Sequence, residues 1–176
     1  MGFVNAHFIA YTTDLGATAI HGAYALAAVG VAGLAGGLGF GLMADKYGRR
    51  PLLVLAYVIR GLGYGVLLMA AGLPMAILGV VIIGSSWTSV ISLTGTVASD
   101  TYGLRRLGTI YGTMFTVMPF GASSGVWLAG QIYDSTGSYD IALWISLGMG
   151  LLAATAMAMP STGIARRLWP EFSRAG

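Results

Sequence analysis

The chain has 176 residues, 56% hydrophobic and 9% charged, with 28 glycines, no cysteine and a formal net charge of +3. A soluble domain carries about 25% charged residues and could not coat so much apolar surface with so few. Disorder needs the opposite balance, glycines without a three-residue period exclude a collagen-like chain, and the lack of cysteine removes disulfide, zinc-thiolate and thiol-nucleophile chemistry.

An integral membrane protein remains, and its elements follow from where the charges fall. A helix needs about 20 mainly apolar residues to cross the hydrocarbon core. Residues Met1 to Thr13 are apolar but too short to cross. No Lys or Arg precedes Lys46 and no clear cleavage site follows, which argues against a signal peptide. The segment reads as the tail of a helix whose beginning is missing, with a short re-entrant or interfacial helix as the alternative.

Residues 15–44 contain no Asp, Glu, Lys or Arg and predict a span over about 22–43. A second span, 52–71, is broken only by Arg60. Ala71-Gly72-Leu73-Pro74 reads as a turn, so a third span runs about 75–97. The fourth covers about 108–131 with Pro119 inside it, which predicts a kink and a candidate gate. The fifth, about 141–159, is stopped by Pro160 and followed by a basic tail, 161–176. Membrane β-strands would alternate in hydrophobicity; runs such as Leu52 to Ala56 and Ile77 to Ile83 do not. The expected fold is all-α: five full transmembrane helices plus a partial N-terminal one.

Basic residues set the expected orientation. Lys46, Arg49 and Arg50, then Arg105 and Arg106, then Arg166, Arg167 and Arg174 fall in three segments on one side, which is therefore cytoplasmic. The loops around Asp14, Leu73-Pro74 and Asp134 to Asp140 contain no Lys or Arg. The positive charge thus reflects topology, and nucleic-acid binding has no further support.

Close helix contacts in lipid favour small residues. Gly33-x3-Gly37-x3-Gly41, Gly61-x3-Gly65, Gly108-x3-Gly112 and Gly121-x3-Gly125 each place glycines on one helical face. Gly39 to Ala44 also fits G-x-G-x-x-A, but it ends a membrane helix instead of following a strand, so no dinucleotide site is read there.

The most specific stretch is Gly41-Leu42-Met43-Ala44-Asp45-Lys46-Tyr47-Gly48-Arg49-Arg50-Pro51, between the first two full spans. Gly48 permits a left-handed turn and Pro51 suits the first turn of the next helix. The stretch resembles the loop signature of the major facilitator superfamily, G-x-x-x-D-[RK]-x-G-[RK]-[RK], which Gly41, Asp45, Lys46, Gly48, Arg49 and Arg50 satisfy. In that family the signature helps latch the cytoplasmic side of the two halves. His7 to Gly16, Ser99 to Gly108 and Gly130 to Tyr139 resemble stretches of the monocarboxylate-porter and oxalate:formate-antiporter-like branch. The resemblance implies the C-terminal half of a twelve-helix bundle, from the end of helix 7 to helix 12. Better-known porters of that branch carry an arginine on helix 8; here 22–43 has no charge, and the intramembrane arginine is Arg60 on helix 9. Helix 9 lies outside the central cavity of the implied fold.

The candidate substrate-binding residues are Arg60, His7, Tyr11, Trp87 and Ser89. An arginine deep in a span costs at least about 2.5–3.5 kcal/mol, so it has a partner or a wet cavity. Arg60 reads either as a carboxylate site or as a structural group bonded to neighbouring helices. His7 titrates near neutral pH and could relay protons, or it caps a helix end. Ser85, Ser89, Ser92, Thr96 and Ser99 form a polar stripe that either lines a substrate path with Trp87 or serves helix packing. No paired carboxylates, metal cluster or phosphate loop survives its context, so neither an enzyme nor a cofactor is expected. The expectation is a secondary active transporter in a bacterial-type inner (plasma) membrane, moving a small organic anion such as a monocarboxylate by alternating access. A proton or a counter-anion is the candidate coupling partner. The competing reading is a non-transporting truncated half, inert or needing a separate N-terminal half.

Overall fold

The computed structural model describes residues 2–159, so the expected basic tail lies outside the described residues. Within them the chain is helical: α1 (Gly2–Asp14), α2 (Ala19–Tyr47), α3 (Arg49–Leu68), α4 (Leu73–Tyr102), a 3₁₀ turn (Leu104–Arg106), α5 (Leu107–Thr136) and α6 (Asp140–Ala158). The helices overrun most of the predicted spans because apolarity marks only the hydrocarbon-facing middle, whereas the hydrogen-bonded helix continues into the flanking polar residues. α3 and α6 are the exceptions at their C-terminal ends: α3 stops at Leu68, before the predicted end at residue 71, and α6 at Ala158, one residue before its predicted end.

Four helices, α2, α3, α4 and α6, combine the length and apolarity to cross a membrane, one fewer by composition than the five full spans expected. α5 has 30 residues, but Thr109, Thr113, Thr116, Ser123, Ser124 and Gln131 interrupt its apolar character. It passes through Pro119 as one helix.

α4 is the hub, packed along α2 on one side and α3 on the other, and α3 packs in turn along α6. Glycine makes these contacts close. Gly33 and Gly36 of α2 lie against Gly84 and Ser85 of α4, where a Cβ on Gly84 would sit 2.8 Å from Val29. On the other side, a Cβ on Gly150 of α6 would come within 3.2 Å of the Gly61 Cα. The remaining glycines singled out by spacing divide. Gly37 and Gly65 touch neighbours, whereas Gly41, Gly108, Gly112, Gly121 and Gly125 face open space.

Buried side chains form two clusters. One joins Phe3, Phe8 and Tyr11 of α1 to Tyr64, Leu67, Val80, Ile83 and Leu143. The other, nearer the basic turn, holds Phe40, Leu52, Leu53, Val90 and Leu93. Large apolar residues cover the outer faces, including Val31, Leu34, Leu38 and Leu42 on α2. Hydrocarbon as solvent imposes no penalty on them.

Candidate functional site

The spacing Tyr57-x2-Arg60-x3-Tyr64 puts an arginine between two phenols on one face of α3. Across from it α4 presents Ser86 and Trp87. The Arg60 Nε–H donates to Ser86 Oγ at 3.4 Å and an Nη–H donates to the Ser86 carbonyl at 3.3 Å. The guanidinium carbon lies 5.3 Å from the Trp87 ring centroid and 5.9 Å from that of Tyr57, within cation–π range. Two of its five N–H donors are thus engaged by Ser86, and no carboxylate is within ion-pair reach among the described residues. Tyr57, Arg60, Tyr64 and Trp87 edge a cavity of about 730 Å³, whose other walls come from α5, through Met118, Gly125 and Leu128, and α6, through Ile145 and Met149. Arg60 is the charged residue of that lining.

His7 and Tyr11 form a separate group. The Tyr11 hydroxyl donates to the Leu67 carbonyl at 2.6 Å. His7 Nε2 lies 3.1 Å from the Val126 carbonyl of α5, and the Tyr139 hydroxyl lies 3.3 Å from Nδ1. A carbonyl can only accept, so Nε2–H donates to Val126, while Nδ1 faces the Tyr139 hydroxyl. Tyr139 also stacks on Tyr133 at 4.3 Å between centroids. Phe3 connects the two groups: it lines the Arg60 cavity and packs edge-on to Tyr139 at 5.3 Å. Outside the predicted spans, burial, assisted by the neighbouring Tyr133 phenol and then by the acidic charges of Asp14 and Asp134, holds the Tyr139 phenol above its ordinary pKa.

Ser89 belongs to neither group. It is fully buried, and its hydroxyl donates to the Ser85 carbonyl at 3.4 Å. The rest of the stripe behaves alike: Ser85, Ser92, Thr96 and Ser99 each donate to a carbonyl three residues earlier in α4. These bonds satisfy each hydroxyl within its own helix.

The turn between α2 and α3 is the third site. Gly48, at φ +92°, ends one helix and begins the next, and its N–H donates to the Ala44 carbonyl at 2.9 Å. Arg49 then pairs with Asp100 at the end of α4, at 2.6 Å. Arg50 reaches the C-terminus of α6, donating through Nε to the Met157 carbonyl at 3.0 Å and through an Nη to that of Met159. Gly41, Asp45 and Lys46 are exposed, with Lys46 over the ring of Tyr47. The turn therefore fastens three helix ends. The family model described as Major Facilitator Superfamily matches residues 1–167. The chain belongs to that superfamily.

Individual facilitators are similar over much of this chain. Tap, a multidrug efflux pump of Mycolicibacterium fortuitum, is 27% identical over 78% of this chain and 34% of its own length. YcxA of Bacillus subtilis, an uncharacterized facilitator-type transporter, is 26% identical over 91% and 40% respectively. A chloramphenicol resistance protein of Pseudomonas aeruginosa is 31% identical over 78% and 31%. The chain spans between 21% and 40% of the length of the curated relatives it matches. Membership and the apolar helices together make it a multi-pass membrane protein of a transporter family.

Sequence reasoning passed over Tyr57, Tyr64, Ser86, Phe3 and Tyr139. The phenols on α3 were findable, since both fall on the helical face of Arg60. Tyr139 was not: it is 132 residues from His7, and no local spacing encodes that meeting.

Proposed function

We infer that this chain is the C-terminal half of a facilitator, from the end of helix 7 to helix 12, working as a secondary active transporter by alternating access. Its cargo is a small organic anion, with monocarboxylates the first class to test and a proton or counter-anion as coupling partner. The observation that carries this reading is Arg60: a guanidinium in a membrane-embedded cavity, held by serine and aromatic faces and lacking a carboxylate partner among the described residues. Such a group attracts an oxyanion. The efflux names of the relatives support movement of organic solutes in general. The orientation proposed from the basic segments puts the Gly48 turn on the cytoplasmic face of a bacterial-type inner membrane, beside an N-terminal half that completes the bundle.

Proteoliposome uptake tests the reading. Radiolabelled monocarboxylate flux is measured with this chain alone and with a separately supplied N-terminal half, each with and without Arg60→Ala. Flux that requires Arg60 supports the transporter. Flux only with the second half present makes this chain an obligate partner. Flux in neither arrangement leaves a non-transporting half and overturns the proposal.

A further inference from the structure

The cavity beside Arg60 is larger and more apolar than a two- or three-carbon acid would need. At about 730 Å³ it falls in the range that holds drug-sized ligands, roughly 300–1,000 Å³. Its charge is confined to Arg60. Arg60, Tyr57 and Trp87 come from α3 and α4, whereas α5 and α6 contribute a mainly apolar wall, with Met118, Leu128, Ile145 and Met149 interrupted by Ser124 and Ser146. A small hydrophilic anion at Arg60 would make no use of that wall, whose Met118, Leu128, Ile145 and Met149 are exposed and would otherwise face lipid. A ligand with an apolar body would cover the wall while its oxyanion accepts the N–H groups that Ser86 leaves over.

We propose that this cavity binds a lipophilic carboxylate, with Arg60 taking the carboxylate and the α5/α6 wall taking an aromatic or branched apolar body. The proposal rests on the organic-anion reading above and narrows its substrate class. Gly125 makes it separable from that reading. Gly125 lines the cavity on α5 and has no neighbour within 4 Å of where a Cβ would stand, so a larger residue there enters open space in the cavity.

The test is binding to the whole chain in lipid nanodiscs, read by quenching of Trp87 with Trp87→Phe as the blank. The probes are 2-naphthoate, its neutral amide 2-naphthamide, and lactate. The expected result is 2-naphthoate bound at least about tenfold more tightly than either of the others. Gly125→Leu should weaken 2-naphthoate by about tenfold or more and leave lactate within about threefold. Arg60→Lys, which keeps the charge but loses the fork, should weaken 2-naphthoate while preserving folding. Lactate binding as tightly as 2-naphthoate, with both reduced in Arg60→Lys, overturns the lipophilic class and leaves the small-anion reading standing. Equal binding of 2-naphthamide overturns the carboxylate and both readings with it. No binding of any probe to monodisperse chain, alone or with the N-terminal half supplied, overturns both.

Discussion

The backbone of Gly36 on α2 lies so close to Ser85 on α4 that a Cβ on Gly36 would overlap the Ser85 carbonyl oxygen. Backbone cannot yield as a flexible side chain can. Gly36→Ala should therefore lower stability by about 1–3 kcal/mol, the usual cost of overpacking. Gly39, in the same helix, has nothing within 4 Å of its Cβ direction. Gly39→Ala should be neutral, or stabilising by up to about 1 kcal/mol through helix propensity. Unfolding followed by tryptophan fluorescence in mild detergent compares the two, and equal effects would show that α2 and α4 do not meet this closely.

The paired arginines should behave differently. Arg49 and Asp100 are 43% and 53% exposed, so their coupling in a double-mutant cycle should stay below about 1 kcal/mol and fade with added salt. Arg50→Ala removes a charged donor from the last carbonyls of α6 and should cost about 1.5–3 kcal/mol with little salt dependence. Detergent unfolding at low and high salt distinguishes them.

Which glycines and which aromatics matter was only partly legible in the sequence. Gly48 was readable because a charged turn between two apolar runs demands a left-handed residue. Gly36 was not, because with 28 glycines the spacing rule fits many positions and contact depends on how α2 and α4 cross. The five candidate substrate residues met a similar fate. Arg60 and Trp87 came together because a buried charge restricts its own surroundings. His7 and Tyr11 joined Tyr139 instead, and Ser89 turned inward, since hydroxyls and phenols are satisfied by whichever carbonyl the fold supplies. The departure in span number lies at α5, which is long enough to span but whose hydroxyl residues make it less apolar than its neighbours.

Tyr139 gives a pH prediction. Burial raises its folded pKa above the unfolded phenol value of about 10. Above that value the unfolded chain releases the proton while the folded chain retains it, so stability is intact below about pH 10 and falls as pH rises through the folded pKa. Tyr139→Phe should remove one late-ionising tyrosine from the tyrosinate absorbance titration and flatten the alkaline loss of stability. An unchanged titration would contradict the burial.

α5 is held to α4 through Tyr111, whose hydroxyl donates to the Ile91 carbonyl at 2.8 Å and whose ring covers Gly95. Tyr111→Phe should cost about 1 kcal/mol and raise amide hydrogen exchange in residues 107–118, with residues 52–67 of α3 unaffected. Exchange that rises equally in both would mean general loosening instead of local release.

The thin attachment of α5 has a consequence for how the chain is made. α5 buries a single residue, Ala129, among those described, and it is the long helix whose composition least favours hydrocarbon. A nascent segment of this kind gains little from partitioning into lipid by itself. Its place in the bilayer therefore depends on the helices made before it, α1 and α4, against which it packs more than against α6.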